Sequence, residues 1–205
     1  VATKRNLGLG AICGILAAVL TISAQANEMK CEGPFAKDTD HKRLVSSFGQ
    51  SNVARETVYV EGDGFPASIV FPKQPNRRLE ILWWNEKARR RPATIQADGA
   101  GWIGPKGIRV GMTLGEVEAL NGRPFTLLGF GWDFGGRISE WKGGAFDHLP
   151  GDCQLIVFFS EEENVDEAAS LKVAGDQEFG SNQNEMKAVK PKVVRIGLGY
   201  PQQPQ

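Results

Sequence analysis

The chain has 205 residues, with 24 lysines and arginines against 24 aspartates and glutamates. Balanced charge excludes a global field that would draw the molecule to nucleic acid or to an acidic surface. Its 25 glycines, set among few helix-favouring runs, point to many turns and strands.

At the N-terminus Lys4 and Arg5 precede an apolar run from Leu7 to Ile22. The sequence SAQA then places Ala24 and Ala26 at the two small positions of a signal-peptide cleavage site. The run is about 16 residues, short of the roughly 20 that span a bilayer. The expectation is a signal peptide over 1–26, cleaved after Ala26, and a mature chain in the periplasm or secreted. A lipidated first residue does not fit, because Cys13 lies inside the apolar run and Cys31 follows Lys30. No later segment is apolar enough to span a membrane. Residues 27–205 are read as a single soluble domain, long enough for one core. With Cys13 removed, Cys31 and Cys153 remain, and an oxidising compartment favours their pairing as a disulfide.

The first unit covers about 35–90. Thr39 is the expected N-cap of a short amphipathic helix with Leu44, Val45 and Phe48 on its apolar side, ended by Gly49. ETVYVEG, PASIVFP and RRLEILWWN follow as strands. The basic cluster Lys87, Arg89, Arg90 and Arg91 reads as a solvated turn between units, or as a contact for an anionic surface such as lipid head groups. A second unit covers about 105–160. Thr113 caps its helix and Glu116 closes a capping box. Val117 and Leu120 face inward, and Gly122 and Pro124 stop the helix. PFTLLGFGWDF, GRISEW and CQLIVFFS follow as strands. The two units are offset by about 75 residues, longer than a solenoid period. Residues 161–200 hold a polar loop, a strand near Leu171–Val173 and the strand KVVRIGLGY, and 201–205 form a frayed tail. The expected fold is α+β: a tandem repeat of a short helix followed by an antiparallel three-stranded unit, forming one curved antiparallel sheet of seven to nine strands with helices on one face.

The pattern G-M-T-x-x-E-V-x-x-L-x-G-x-P, from Gly111 to Pro124, resembles the helix-entry motif of the BamE/SmpA outer-membrane assembly lipoproteins. It is also similar to the repeated unit of the β-lactamase-inhibitor-protein group (BLIP-like). The stretch LNGRPFTLLGFGWDFGG is similar to one in uncharacterised bacterial exported proteins. The resemblance implies short helices on a curved antiparallel sheet and a tendency to bind proteins. It implies no catalytic residues.

The residues themselves name no catalytic set. There is no G-x-S-x-G elbow, no H-E-x-x-H and no C-x-x-C. His41 reads as a solvent-facing helix residue and His148 as an exposed loop residue; a Cys153–His148 pair would need the thiol that the disulfide occupies. The acidic run Glu161, Glu162, Glu163 with Asp166 lacks the spacing of a calcium loop and reads as a solvated turn. No cofactor and no metal site are expected.

The aromatics carry more. In LLGFGWDF, Leu128, Phe130, Trp132 and Phe134 alternate onto one strand face, while Gly129, Gly131 and Asp133 leave the other nearly bare for a helix, a ligand or another backbone. The bulky face is either core or a platform of Trp132 with Trp141, Trp83 or Trp84. The adjacent Trp83 and Trp84 face opposite ways in a strand. Asp133 bonds a turn amide or orients a ligand. The function expected is a non-catalytic exported binding protein. Trp132, Asp133, Phe130, Trp141 and Trp84, with an Arg89, Arg90 and Arg91 rim, would meet an envelope or secreted protein through an aromatic-bearing sheet face. The alternative is a small-ligand or glycan binder that stacks on tryptophan. A nucleic-acid partner is not expected.

Overall fold

A computed structural model describes residues 27–202. The expected signal peptide over 1–26 and the end of the tail lie outside the described residues. Nine strands and four α-helices follow in chain order among the described residues. Helix α1 (His41–Phe48) leads β1 (Val53–Val60), β2 (Asp63–Val70), β3 (Leu79–Asn85) and β4 (Arg90–Ala97). Helix α2 (Leu114–Asn121) leads β5 (Thr126–Leu128), β6 (Ile138–Glu140) and β7 (Gln154–Ser160). Then come α3 (Glu167–Ser170), β8 (Glu178–Gly180), α4 (Asn184–Ala188) and β9 (Lys192–Gly199).

The fold is a mixed α+β arrangement with two antiparallel sheets. The six-stranded sheet has the order β1-β2-β3-β4-β9-β7, and the three-stranded sheet the order β6-β5-β8. The expected single curved sheet of paired three-stranded units is corrected here. The first helix leads four strands, because the basic cluster is no free turn: Arg90 and Arg91 open β4. The second unit divides, with β5 and β6 in the small sheet and β7 in the large one. Leu171–Val173 is a turn of 3₁₀ helix instead of a strand, and β8 follows it.

Both helix starts have a chemical reason. In α2, Thr113 Oγ1 accepts from Glu116 N (3.3 Å) and Glu116 accepts from Thr113 N (2.8 Å), the reciprocal capping box. These bonds hold the Glu116 carboxyl below its ordinary range. Gly122 ends the helix at φ 77°, the left-handed conformation that glycine reaches without strain. In α1 the cap is Asp40, not Thr39: Asp40 accepts from Arg43 N (2.8 Å), while Thr39 is buried and its hydroxyl donates to Pro34 O (3.0 Å). Asp and Thr are both good caps, and Thr39 was already engaged by the preceding turn.

The core has two aromatic centres. Phe35, Phe48, Phe71 and Trp102 meet with ring centroids 5.6–6.4 Å apart. Phe125, Trp141, Phe146 and Phe159 form the second, with Trp141 and Phe146 at 4.8 Å. The Cys31–Cys153 disulfide joins the segment before α1 to the start of β7, across a separation of 122 residues. A loop of that length is worth about 4–5 kcal/mol in the chain-entropy account.

Candidate functional site

The segment Gly129–Gly136 carries two exposed large aromatics, and it is not a strand. β5 stops at Leu128, and the chain then docks on a neighbour: Gly129 N donates to Gln177 O, Phe130 N to Val173 O, and Gly175 N back to Phe130 O, at 2.9–3.0 Å. A Cβ at Gly129 would lie 2.5 Å from Gly175 O, so only glycine permits this approach. The bare side of the segment thus receives another backbone. Gly131 turns the chain at φ 82°, Gly135 N closes a turn onto Trp132 O (2.9 Å), and Gly136 N returns to Leu128 O (3.0 Å). On the far side Phe159 N donates to Gly136 O (2.8 Å), and a Cβ on Gly136 would meet that Phe159 carbonyl at 2.0 Å.

The loop is therefore held from both sides, and its tip carries Trp132 (66% exposed) and Phe134 (55% exposed). Phe134 has φ 60°, a conformation that costs a bulky residue about 1–3 kcal/mol and persists only where the surroundings enforce it. The Arg137 guanidinium lies 6.0 Å from the Phe134 ring centroid, at the edge of cation–π range. Asp133 is exposed. Its carboxylate makes no hydrogen bond among the described residues, so the expected bond to a turn amide is not formed.

The other sequence-derived residues lie elsewhere. Phe130 and Trp141 are buried, which removes them from any exposed platform. Strand alternation failed at Phe130 because the strand ends before it. Trp141 is enclosed by Phe125 and Phe146. Trp83 and Trp84 do face opposite ways: Trp83 is buried, while Trp84 is 40% exposed with its indole donating to Tyr200 O (2.9 Å). β4 and β9 separate Trp84 from β7, where the Trp132 loop is anchored. Arg89, Arg90 and Arg91 form no rim around that loop. Their backbone pairs with the entry to α1, through His41 N to Arg89 O (3.0 Å), Arg91 N to Thr39 O (2.8 Å) and an Asp40–Arg90 bridge. Arg89 Nε is also committed to Ala67 O (3.2 Å).

His41 is corrected as well. It is buried, with Nδ1 2.8 Å from Ser68 Oγ, and Ser68 also accepts from the Trp83 indole (3.2 Å). Burial, with Arg55 and Arg89 nearby, holds the imidazole below the ordinary histidine range, although Asp40 acts the other way. Ser68 is fully buried and shared between two rings. The pair is a packing device, not an exposed nucleophile with its base.

Sequence reasoning missed the polar cover on the outer face of the large sheet. Strand register places Ala54, Glu56, Ile69 and Glu80 on one face. Arg78 reaches Glu80 (3.3 Å) on β3 and Glu56 (3.8 Å) on β1, spanning β2 where Ile69 sits fully buried. Arg195 pairs with Asp98 (2.5 Å) and lies 5.4 Å from the Phe158 ring. Arg78, Glu80, Gln96, Asp98 and Arg195 line a cavity of about 150 Å³. The signal was present as alternating charge along the strands, but which charges meet depends on register.

Among the described residues no cluster of His, Cys, Asp and Glu gathers to hold a metal ion, and no helix is long and apolar enough to cross a membrane. No family model matches the chain, and no curated protein matches it. Among solved structures, the chain is similar to the uncharacterized protein yfeY from Escherichia coli. The identity is 11%, the TM-score 0.47, and the likeness covers 84% of this chain and 98% of that one. A likeness at this level says nothing about activity.

Proposed function

We propose that this chain is an exported, non-catalytic binding protein that meets a protein partner of the cell envelope through the Gly129–Gly136 loop. One observation carries the reading: two large aromatics stand exposed on a loop whose backbone is fixed on both flanks. Exposed tryptophan is the usual anchor of protein interfaces, and a pre-set loop loses little freedom on binding. Export is supported by the grammar of residues 1–26 and by the disulfide, which persists in oxidising compartments. The resemblance of Gly111–Pro124 to protein-binding exported families points the same way.

The test is capture of one stoichiometric partner from envelope extract. Trp132→Ala with Phe134→Ala is expected to weaken that binding about 30-fold, the effect of a ~2 kcal/mol hot spot. Trp84→Ala is expected to leave it unchanged. Equal loss in both variants would defeat the assignment of the loop. Sequencing of the mature protein should begin at Asn27. A second reading rests on the exposed Trp132 ring beside the free Asp133 carboxylate: a glycan or small ligand stacks on the indole. A fluorescence shift on titration with oligosaccharides, and no retained protein, would favour it.

A further inference from the structure

The two edges of the six-stranded sheet are treated differently. Beyond β7, the strand that enters the small sheet covers the edge, through an Arg137–Phe158 bridge and the bond from Phe159 N to Gly136 O. Beyond β1, no strand or helix pairs among the described residues. β1 is eight residues long, has no proline, and pairs with β2 without a bulge from Val53 to Val60. An edge of that length is ordinarily blunted.

The backbone phase of this edge can be read. Phe71 N donates to Asn52 O (2.7 Å), so 52↔71 is a hydrogen-bonded position. In an antiparallel ladder such positions alternate. Ala54, Glu56, Val58 and Val60 therefore turn their amides and carbonyls toward β2. Val53, Arg55, Thr57 and Tyr59 turn theirs outward. The side chains of these four share the face on which α1 packs, since Val53 and Arg55 stand opposite Val70 and Ser68. On that face a groove of about 630 Å³ runs between α1 and β1, lined by His41, Lys42, Arg55, Ser46, Gln50 and valines, with no carboxylate. Tyr59, 73% exposed, stands at the far end of the same strand edge.

We propose that this edge binds a second copy of the chain, β1 to β1, antiparallel about a two-fold axis at Thr57. That register pairs outward backbone groups with outward backbone groups along Ala54–Val60 of each copy. It sets Arg55 opposite the second copy's Tyr59, a favourable cross-strand pair. It also brings the hairpin residue Glu61 opposite Val53, beside the groove that holds Lys42 and Arg55 and has no acid of its own. Sliding the register toward the N-terminus sets Glu56 against Glu56 or Arg55 against Arg55, which like-charge repulsion disfavours. Sliding it the other way shortens the ladder. One edge ladder is a small interface, so the dissociation constant should lie on the order of 10–100 μM.

Sedimentation equilibrium of the purified protein over a concentration series tests this, with amide hydrogen exchange followed in parallel. The expected result is a monomer–dimer equilibrium in which the amides of Arg55, Thr57 and Tyr59 gain protection as concentration rises. Thr57→Pro removes only an outward N–H, so it should abolish the dimer while leaving the unfolding temperature of the monomer unchanged. If that variant fails to fold, charge exchange replaces it. Glu61→Arg should weaken association about 5–10-fold, and Arg55→Glu in the same chain should recover most of the loss. A monomer at millimolar concentration overturns the proposal. So does a dimer in which these amides exchange at the monomer rate, and so does protection of the edge by an acidic peptide without self-association.

Discussion

After α1 the chain enters a strand of eight residues and reverses within two, Glu61 and Gly62, whose φ values of 51° and 92° suit the type I′ hairpin turn that matches strand twist. After α2 it makes only three residues of strand and then a loop from Gly129 to Gly136. The first route extends into the meander β1-β2-β3-β4. The second docks on Val173–Gln177, crosses to β7 and leaves two aromatics in solvent. The contrast teaches that helix capping decides where a unit starts and says nothing about what its strands pair with. Pairing is decided by where backbones may approach, and in the second half that is set by glycines with no room for a side chain.

That contrast can be broken by experiment, beginning with the largest effect. Gly136→Ala places a Cβ on the Phe159 carbonyl and strains a positive φ, so it should cost upward of ~3 kcal/mol. Gly122→Ala, also at positive φ but with open space around it, should cost about 1 kcal/mol. Denaturant midpoints compare them, and equal costs would refute the close-approach account. Replacing Cys31 and Cys153 together by alanine should remove about 2–5 kcal/mol, because it releases the tie between the start of the first half and the last strand of the second. Ser68→Ala strands the Trp83 indole and the His41 ring, both inside the first half, and should cost about 1–3 kcal/mol. Asp40→Ala and Thr113→Ala should each cost about 1 kcal/mol, showing that the two helix starts are equivalent although their capping residues differ.

The smallest effect is one of pH. The folded His41 takes a proton less readily than the unfolded chain does. Its contribution is therefore whole above the unfolded value of ~6.5 and declines as pH falls below it. Unfolding midpoints measured between pH 7.5 and 5 should drop in the wild type and flatten in His41→Gln. Asp38 and Asp152, held below the ordinary carboxylate range by Arg43 and Lys37, act only at more acidic pH.

Much of this was legible in the residues. The α2 capping box and the stop at Gly122 follow from local chemistry, and the Cys31–Cys153 pairing from these being the two cysteines beyond residue 26. Trp83 and Trp84 split as alternation requires. The Phe130–Phe134 alternation misled, because period-two spacing cannot distinguish a strand from a glycine loop whose backbone partners are Val173, Gly175 and Gln177, far outside any local window. Thr39 and His41 misled for a related reason: a good capping residue and a polar ring were each taken up by partners, Pro34 and Ser68, that only tertiary structure selects. Trp132 is expected on a strand face and instead stands exposed on the loop that follows β5.

The placement of β9 has a consequence for the order of events in synthesis. β9 lies between β4 and β7, yet it is made after both. Until Lys192–Gly199 has emerged, β7 has no hydrogen-bonded neighbour in the large sheet, and β4 is exposed along one side. The middle of the sheet is the last part to be filled. Closure must therefore wait on contacts that are remote in sequence, which slows folding. A chain ending before residue 192 would leave β4 and β7 each without the neighbour they share.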